Sequence, residues 1–98
     1  MSGPYRVIFT ARARADLLAV RRWLSQPGSG LKARLRSARI TRAIIELQFT
    51  PFRWPEGETT GVRERPVEGH RILYQVDDRA RTISLLRVVG PFQNRAAP

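Results

Sequence analysis

Residues 61–89 read GVRERPVEGHRILYQVDDRARTISLLRVV, and this stretch predicts three consecutive β-strands. Within residues 70–76, Ile72, Tyr74 and Val76 alternate with Arg71, Leu73 and Gln75, which is the period of a strand. Residues 83–89 form a nearly continuous apolar run of strand length, as expected for a strand that is buried on both faces. We therefore expect the other elements to pack against a sheet formed by this stretch.

The turn between the first two strands decides which side chains share a face of the sheet. A two-residue loop at 68–69 would place Arg63 and Arg65 on the apolar face. A three-residue loop at 67–69, with its glycine in the left-handed conformation, would put Val62 there instead. We favour the three-residue loop, because burying an unpaired guanidinium group is costly. The predicted sheet then has an open face that carries Arg63, Arg65 and Arg71.

The first half of the chain predicts a strand followed by two helices. Residues 5–10 alternate as a strand, Thr10 is a suitable N-cap, and residues 11–25 form an amphipathic helix with a basic outer face. Residues 31–49 form a second helix that ends before Pro51. The order β-α-α-β-β-β predicts a single α+β domain spanning residues 1–98. Its two helices pack on one face of a small, mainly antiparallel four-stranded sheet.

The second helix carries two apolar stripes on roughly opposite sides. One stripe contains Leu31, Leu35, Ala38, Ile45 and Phe49. The other contains Ala33, Ile40, Ala43, Ile44 and Leu47. A helix with two apolar faces is normally covered on both sides, so one stripe is expected on the sheet and the other on the first helix or on a partner chain.

The composition limits the possible functions. The chain has no cysteine and one histidine, which excludes a disulfide framework and a thiolate or histidine metal cluster, and no cofactor is expected. No apolar run approaches the ~20 residues of a membrane helix, and the N-terminus lacks a secretory signal pattern, so we expect a soluble cytoplasmic protein without a membrane partner.

The charge of the chain points to an anionic partner. The formal net charge is +10, and every basic residue except Lys32 is arginine. Guanidinium groups bind phosphate and carboxylate bidentately, so nucleic acid and an acidic protein both fit, although arginine also serves on ordinary solvated surfaces.

Three other residues have structural interpretations: Trp54 should pin the loop at 50–60, Tyr74 should lie in the core, and His70 should lie at a solvated strand edge.

Five short motifs, in this order, resemble the RelE/ParE superfamily of toxins from bacterial type II toxin–antitoxin systems. They are Tyr5-Arg6-Val7, Ala13-Arg14-Ala15-Asp16-Leu17, Gly61-Val62-Arg63-Glu64, Gly69-His70-Arg71-Ile72-Leu73-Tyr74-Gln75-Val76, and Leu85-Leu86-Arg87-Val88-Val89. The resemblance implies a small toxin that an acidic antitoxin, encoded beside it, binds and neutralises in a hetero-oligomer. Residues Leu31, Leu35, Ala38 and Ile45 are the expected antitoxin-binding stripe.

Two activities divide this superfamily, and the sequence is more similar to the ParE-like branch, which inhibits DNA gyrase. RelE-like members cut messenger RNA in the ribosome with the help of basic and aromatic groups after the last strand. Here Pro91 and Phe92 stand in that region, and the chain continues to Ala96-Ala97-Pro98. Without a group that transfers a proton, acid–base catalysis loses about 10² to 10⁴ in rate.

The residues expected to contact the target are arginines of the last three strands, namely Arg63, Arg65, Arg71 and Arg87. If the protein is instead a ribosome-dependent endoribonuclease, the expected catalytic residues are Arg63, Arg65 and Arg71. A second alternative is a non-toxic basic module that binds nucleic acid, or a degenerate toxin that still binds its antitoxin.

Overall fold

The computed structural model describes residues 3–91, which form two helices and four strands in the predicted order. The elements are β1 (Arg6–Phe9), α1 (Ala11–Leu24), α2 (Gly30–Glu46), β2 (Arg63–Val67), β3 (His70–Asp77) and β4 (Thr82–Val89). The strand order in the sheet is β1-β4-β3-β2. β4 pairs antiparallel with β3, and β3 with β2, whereas β1 pairs parallel with β4. The predicted α+β fold with a mainly antiparallel sheet is confirmed.

Thr10 joins the first strand to the first helix, as the sequence predicted. Its Oγ1 accepts a hydrogen bond from the backbone N–H of Ala13 at 3.1 Å, which caps the helix. The same hydroxyl donates to the backbone oxygen of Leu85 at 2.9 Å, so the cap also ties α1 to β4. The buried side of α1 presents Ala13, Asp16, Val20 and Leu24 to the core.

The two stripes of α2 have different environments. Ile40, Ala43, Ile44 and Leu47 are buried in the main core, together with Ile72, Tyr74, Ile83, Leu85 and Val88 from the sheet. The other stripe lies in solvent: Leu31 is 63% exposed, Leu35 44%, Ile45 52% and Phe49 67%. Ala38 of the same stripe is also exposed. Within residues 3–91, nothing covers this second stripe.

The predicted register between β2 and β3 is wrong. Val67 pairs with His70, Arg65 with Ile72, and Arg63 with Tyr74, which leaves a two-residue loop at Glu68-Gly69. Both loop residues have positive φ, 50° at Glu68 and 75° at Gly69, as a type I′ turn requires. The two-residue loop, which the sequence disfavoured, is possible because Arg63 and Arg65 lie at the rim of the core. There they stack on aromatic rings, and Arg63 donates hydrogen bonds to backbone carbonyl oxygens.

The prediction of an open, arginine-bearing sheet face is wrong for the same reason. Arg63 and Arg65 share the helix-facing side of the sheet with the core residues opposite them. The other side carries a second apolar cluster of Val62, Leu73 and Val89, which are at most 5% exposed. Arg71 is the one residue of the three predicted arginines that lies on that side of the sheet.

Candidate partner-binding surfaces

Four arginines lie over aromatic rings around the loop at 50–55, whose rings contact Tyr5, just before β1, and two arginines of β2. The distance from the guanidinium carbon to the ring centroid is 5.1 Å for Arg63 on Phe52, 4.5 Å for Arg65 on Trp54, 5.1 Å for Arg53 on Trp54, and 4.1 Å for Arg81 on Tyr5. Such stacking is worth about 0.5–1 kcal/mol at an exposed site and more when water is excluded. We call these seven residues the arginine–aromatic belt.

Arg63 holds the 50–55 loop against the sheet. Its Nη1 donates to the backbone oxygen of Trp54 at 2.6 Å and to that of Phe52 at 3.4 Å. The buried Tyr74 hydroxyl donates to the backbone oxygen of Pro51 at 2.8 Å in the same loop. Nη1 of Arg63 is therefore hydrogen-bonded inside the protein.

Arg65 is less completely satisfied. Its Nη2 lies 3.2 Å from Oε1 of Glu46, and the Arg65 side chain is 16% exposed. Its Nε is buried and has no hydrogen-bond partner among the described residues. A pocket of about 230 Å³ opens beside it, lined by Glu46, Phe49, Thr50, Arg53, Trp54 and Arg65. We call this the Trp54 pocket.

Arg71 lies apart from the other two predicted arginines. Its side chain is 44% exposed, and its Nη1 is 3.7 Å from Oε1 of Glu64. A pair this long and this exposed contributes little to stability, so the guanidinium group remains available at the surface. The structure thus brings Arg63 and Arg65 together and leaves Arg71 on the other side of the sheet.

Arg87 is a buried structural residue in the described protein. It is 3% exposed. It donates from Nε to Oδ2 of Asp16 at 2.8 Å, and from Nη2 to Oδ1 at 3.3 Å. The backbone N–H of Val88 donates to the same carboxylate at 3.0 Å. Arg87 therefore joins α1 to β4, and we leave it out of any surface that contacts a target.

The histidine and both tyrosines are buried and hydrogen-bonded. His70 is 5% exposed, with Nδ1 2.9 Å from the backbone oxygen of Glu68, so its predicted place at a solvated edge is wrong. Tyr74 is fully buried, as predicted, and this burial raises the pKa of its phenol. The hydroxyl of Tyr5 donates to Asp78, and this hydrogen bond, with burial, raises the pKa of Tyr5. None of these three groups is presented to solvent beside the arginines. The tail at 92–98, which bears on the nuclease alternative, lies outside the described residues.

Two apolar surfaces remain for a protein partner. One is the exposed stripe of α2, defined by Leu31, Leu35, Ala38, Ile45 and Phe49. The other is a groove of about 470 Å³ along α1, lined by Phe9, Arg14, Leu17, Leu18 and Arg21. Single exposed apolar residues are common, whereas a continuous exposed stripe is a candidate interaction site. In the described part of the chain, no cluster of side chains is suited to a metal ion, and no helix is long and apolar enough to cross a bilayer.

The belt and the pocket were not predicted from the sequence. Trp54 was correctly predicted to be a packing residue, since the half-buried indole contacts the main core. No role was predicted for Phe52 and Arg53, or for Glu46 at the end of α2. The signal was the alternation of aromatic and basic residues in Phe52-Arg53-Trp54, which becomes meaningful only when β2 brings two more arginines beside it.

Known structures and families share this architecture. One similar structure is the chromosomal ParDE system from P. aeruginosa, with a TM-score of 0.73 and 22% identity over 91% of this chain and 98% of that chain. Another is the toxin–antitoxin complex RelBE2 from Mycobacterium tuberculosis, with a TM-score of 0.57 and 29% identity over 89% of this chain and 98% of that chain. The fold is thus that of the RelE/ParE superfamily.

The amino-acid sequence identifies a family within this superfamily. Residues 7–90 match the model of the ParE toxin of the type II toxin–antitoxin system parDE. The chain therefore belongs to the ParE toxin family. A comparison with curated protein sequences gave no significant match.

Proposed function

We propose that this ParE-family toxin inhibits DNA gyrase by binding it, and that a cognate acidic antitoxin, encoded by the adjacent reading frame, neutralises it. The observation that carries this proposal is the burial of the side chains that could transfer a proton, namely the histidine and the two tyrosines. The imidazole and both phenols are buried and hydrogen-bonded, whereas guanidinium groups and aromatic rings reach the surface. This arrangement supports binding to a partner better than acid–base cleavage of RNA, which needs a proton donor or acceptor within reach of the substrate.

The proposed target surface is the arginine–aromatic belt, in which Arg63 and Arg65 have the central positions. Phe52 in the belt is 51% exposed, and large aromatic side chains beside arginine are typical of residues that dominate binding energy. Arg71 provides a second, separate contact on the other side of the sheet. Arg87, which the sequence had also placed in the target surface, acts through Asp16 in stabilising the fold.

The proposed antitoxin site is the exposed stripe of α2. An amphipathic antitoxin segment can lay its apolar face on Leu31, Leu35, Ala38 and Ile45, in the manner of a helix bound in a groove. The net charge of +10 favours an acidic segment and would speed its association. The product of this association is a toxin–antitoxin hetero-oligomer.

The experiment is a gyrase assay with purified toxin. We expect the toxin to inhibit supercoiling of a relaxed plasmid and to promote gyrase-dependent DNA cleavage, and expression without antitoxin should cause filamentation and a DNA-damage response. Arg65→Gln should weaken inhibition, whereas Arg22→Gln, which removes the same charge from the exposed side of α1, should not. The proposal fails if supercoiling and cleavage by gyrase are unchanged at saturating toxin.

A parallel assay with programmed ribosomes separates the alternatives. Cleavage of messenger RNA in the A site would replace the gyrase mechanism with a RelE-like nuclease that uses arginines alone to stabilise the transition state. Inactivity in both assays, with no growth arrest, would identify a degenerate toxin or a basic binding module. Binding by such a module to bare nucleic acid would fall steeply as salt is added.

A further inference from the structure

The exposed stripe of α2 has the residue spacing of a coiled-coil seam. When the arginine that lies between its apolar members is included, the row advances in alternating steps of four and three residues. The row is Leu31, Leu35, Ala38, Arg42, Ile45 and Phe49. Alternating steps of this kind form the heptad repeat, in which side chains of one helix insert between those of a partner helix. We call this row the α2 seam.

The rest of α2 agrees with this assignment. In the heptad that places Leu35 and Arg42 in the seam, the position on the opposite side of the helix belongs to Ala33, Ile40 and Leu47. Ile40 and Leu47 are buried in the main core, and Ala33 packs against it. The sheet therefore holds one side of α2, and the seam points into solvent along about 21 Å of helix, at 1.5 Å per residue from Leu31 to Ile45.

Arg42 is a free cation in the middle of the seam. Its side chain is exposed, and within residues 3–91 it forms no ion pair or hydrogen bond. Glu46, the acidic residue of α2, lies one turn further along, but its Oε1 is 3.2 Å from Nη2 of Arg65. A partner that covers the seam must therefore accommodate the charge of Arg42.

This charge restricts what can lie on the seam. An apolar side chain placed over Arg42 would remove the guanidinium group from water without compensation, which is unfavourable. A carboxylate at that point of a partner helix compensates the charge. A polar residue at a single core position of a coiled coil also fixes the alignment of the two helices, because other alignments leave it unpaired. Ala38, one turn before Arg42, has the smallest side chain of the row and leaves space for the carboxylate.

The positions beside the seam favour an acidic helix over a second copy of this chain. Lys32, Arg34 and Arg39 are exposed at flanking positions of the heptad, and Arg39 is paired with Glu68 at 2.7 Å. Flanking positions form the ion pairs between helices that select the partner. Two copies of this chain would bring these cations, and Arg42, against their own kind.

We propose that the antitoxin lies on α2 as an acidic helix in heptad register, with one aspartate or glutamate opposite Arg42 that sets its alignment. This inference rests on the antitoxin site proposed above and adds the residue that fixes how the partner is placed there. A shift of the partner by one heptad keeps leucine-sized contacts along the seam. The ion pair at Arg42 distinguishes the correct alignment from the shifted one.

The test measures, by calorimetry, the affinity of the toxin for the protein encoded by the adjacent reading frame. Arg42→Gln should weaken binding by at least about tenfold, because it leaves the partner carboxylate covered and unpaired. The matched control is Arg36→Gln, which removes an exposed charge from the same helix outside the seam and its flanks. It should change the affinity by less than about threefold.

A double-mutant cycle identifies the partner residue. Each Asp and Glu of the neighbouring protein is changed to Asn or Gln in turn. We expect one of these changes to cost at least about tenfold in affinity against wild-type toxin and almost nothing against Arg42→Gln. Arg42→Glu combined with arginine at that partner position should recover much of the lost affinity. Urea denaturation checks that Arg42→Gln is as stable as wild type.

The possible failures are distinct. If Leu35→Glu weakens binding but Arg42→Gln does not, or if no acidic residue couples to Arg42, the antitoxin site stands and the inference is overturned. If the neighbouring protein does not bind, or binds with no loss for either variant, the antitoxin site fails and the inference fails with it. A dimer of toxin alone in ultracentrifugation that Leu35→Glu dissociates would also overturn the inference, because a second copy would then occupy the seam.

Discussion

Replacing Asp16 by asparagine should strongly destabilise the protein, although the two side chains have nearly the same shape. Asp16 accepts hydrogen bonds from Arg87 and from the backbone of Val88, and both charged side chains are at most 7% exposed. Asparagine can still accept one bond, but it leaves the buried guanidinium group without a counter-charge. Breaking a buried pair in this way costs about 3–5 kcal/mol.

The size of this loss should be compared with the stability of the whole domain. A small domain unfolds with a free energy of about 5–15 kcal/mol, so Asp16→Asn removes a third or more of it in most of that range. Urea denaturation, followed by circular dichroism, measures the change as a shift of the midpoint at constant slope. We expect the variant to unfold at much lower urea than wild type.

Two further variants test the reasoning. Arg12→Gln removes an exposed cation 3.8 Å from Asp16 and should change the free energy of unfolding by less than about 1 kcal/mol. The double variant Asp16→Leu with Arg87→Met should recover much of the loss, because no charge is left buried, although the Val88 N–H still loses its acceptor. If Asp16→Asn is as stable as wild type, or if the double variant is less stable than Asp16→Asn, the Asp16–Arg87 pair does not stabilise the protein in this way.

Three other predictions concern the turn, the tyrosines and the α2 stripe. Gly69→Ala should destabilise the protein by about 1 kcal/mol in urea denaturation, because φ is 75°, a conformation that alanine adopts at a cost. No atom lies within 4 Å of a new Cβ, so no steric clash adds to this cost. Gly69→Asn should cost less, since asparagine tolerates this conformation. Because folding raises the pKa of Tyr5 and Tyr74, the stabilising contribution of these two phenols should be fully present below about pH 10 and be lost as pH rises through their folded pKa values. Tyrosinate absorbance and urea midpoints in the alkaline range check this, and Tyr74→Phe should reduce the dependence on pH. Leu35→Glu should leave the urea midpoint nearly unchanged, because the side chain is exposed, and should weaken antitoxin binding by at least about tenfold in calorimetry. An equal loss of affinity with Leu18→Glu on α1 would contradict an antitoxin site on the α2 stripe.

The sequence predicts the elements well because their signals are local. The alternation in β3, the apolar run of β4 and the Thr10 cap each depend on a few neighbouring residues, and all three are present in the structure. The separation of α2 into two stripes is also a local property of helix periodicity. It correctly divided the buried residues from the exposed ones.

The register and the site depend on contacts between distant parts of the chain. Arg63 and Arg65 were expected to be unpaired if they were buried. Residues of the 50–55 loop instead supply aromatic rings and carbonyl oxygens that sequence periodicity does not reveal. The pairing of Arg87 with Asp16 also joins distant parts of the chain, and nothing in the local sequence distinguishes Arg87 from a surface arginine. The exposed stripe of α2 was easier to recognise, because an exposed apolar face contradicts the ordinary pattern of a helix on a sheet.

The position of β4 also determines how the chain reaches its folded state. In the described sheet β1 pairs only with β4, and α1 is anchored to β4 through Thr10 and Asp16. A nascent chain that has not yet produced residues 82–89 therefore has no partner for β1 and no buried counter-charge for Asp16. Domains built on such distant pairings fold slowly compared with helical bundles. During this delay Arg81, which precedes β4, is not yet held over Tyr5, so the arginine–aromatic belt is completed only when β4 has paired with β1.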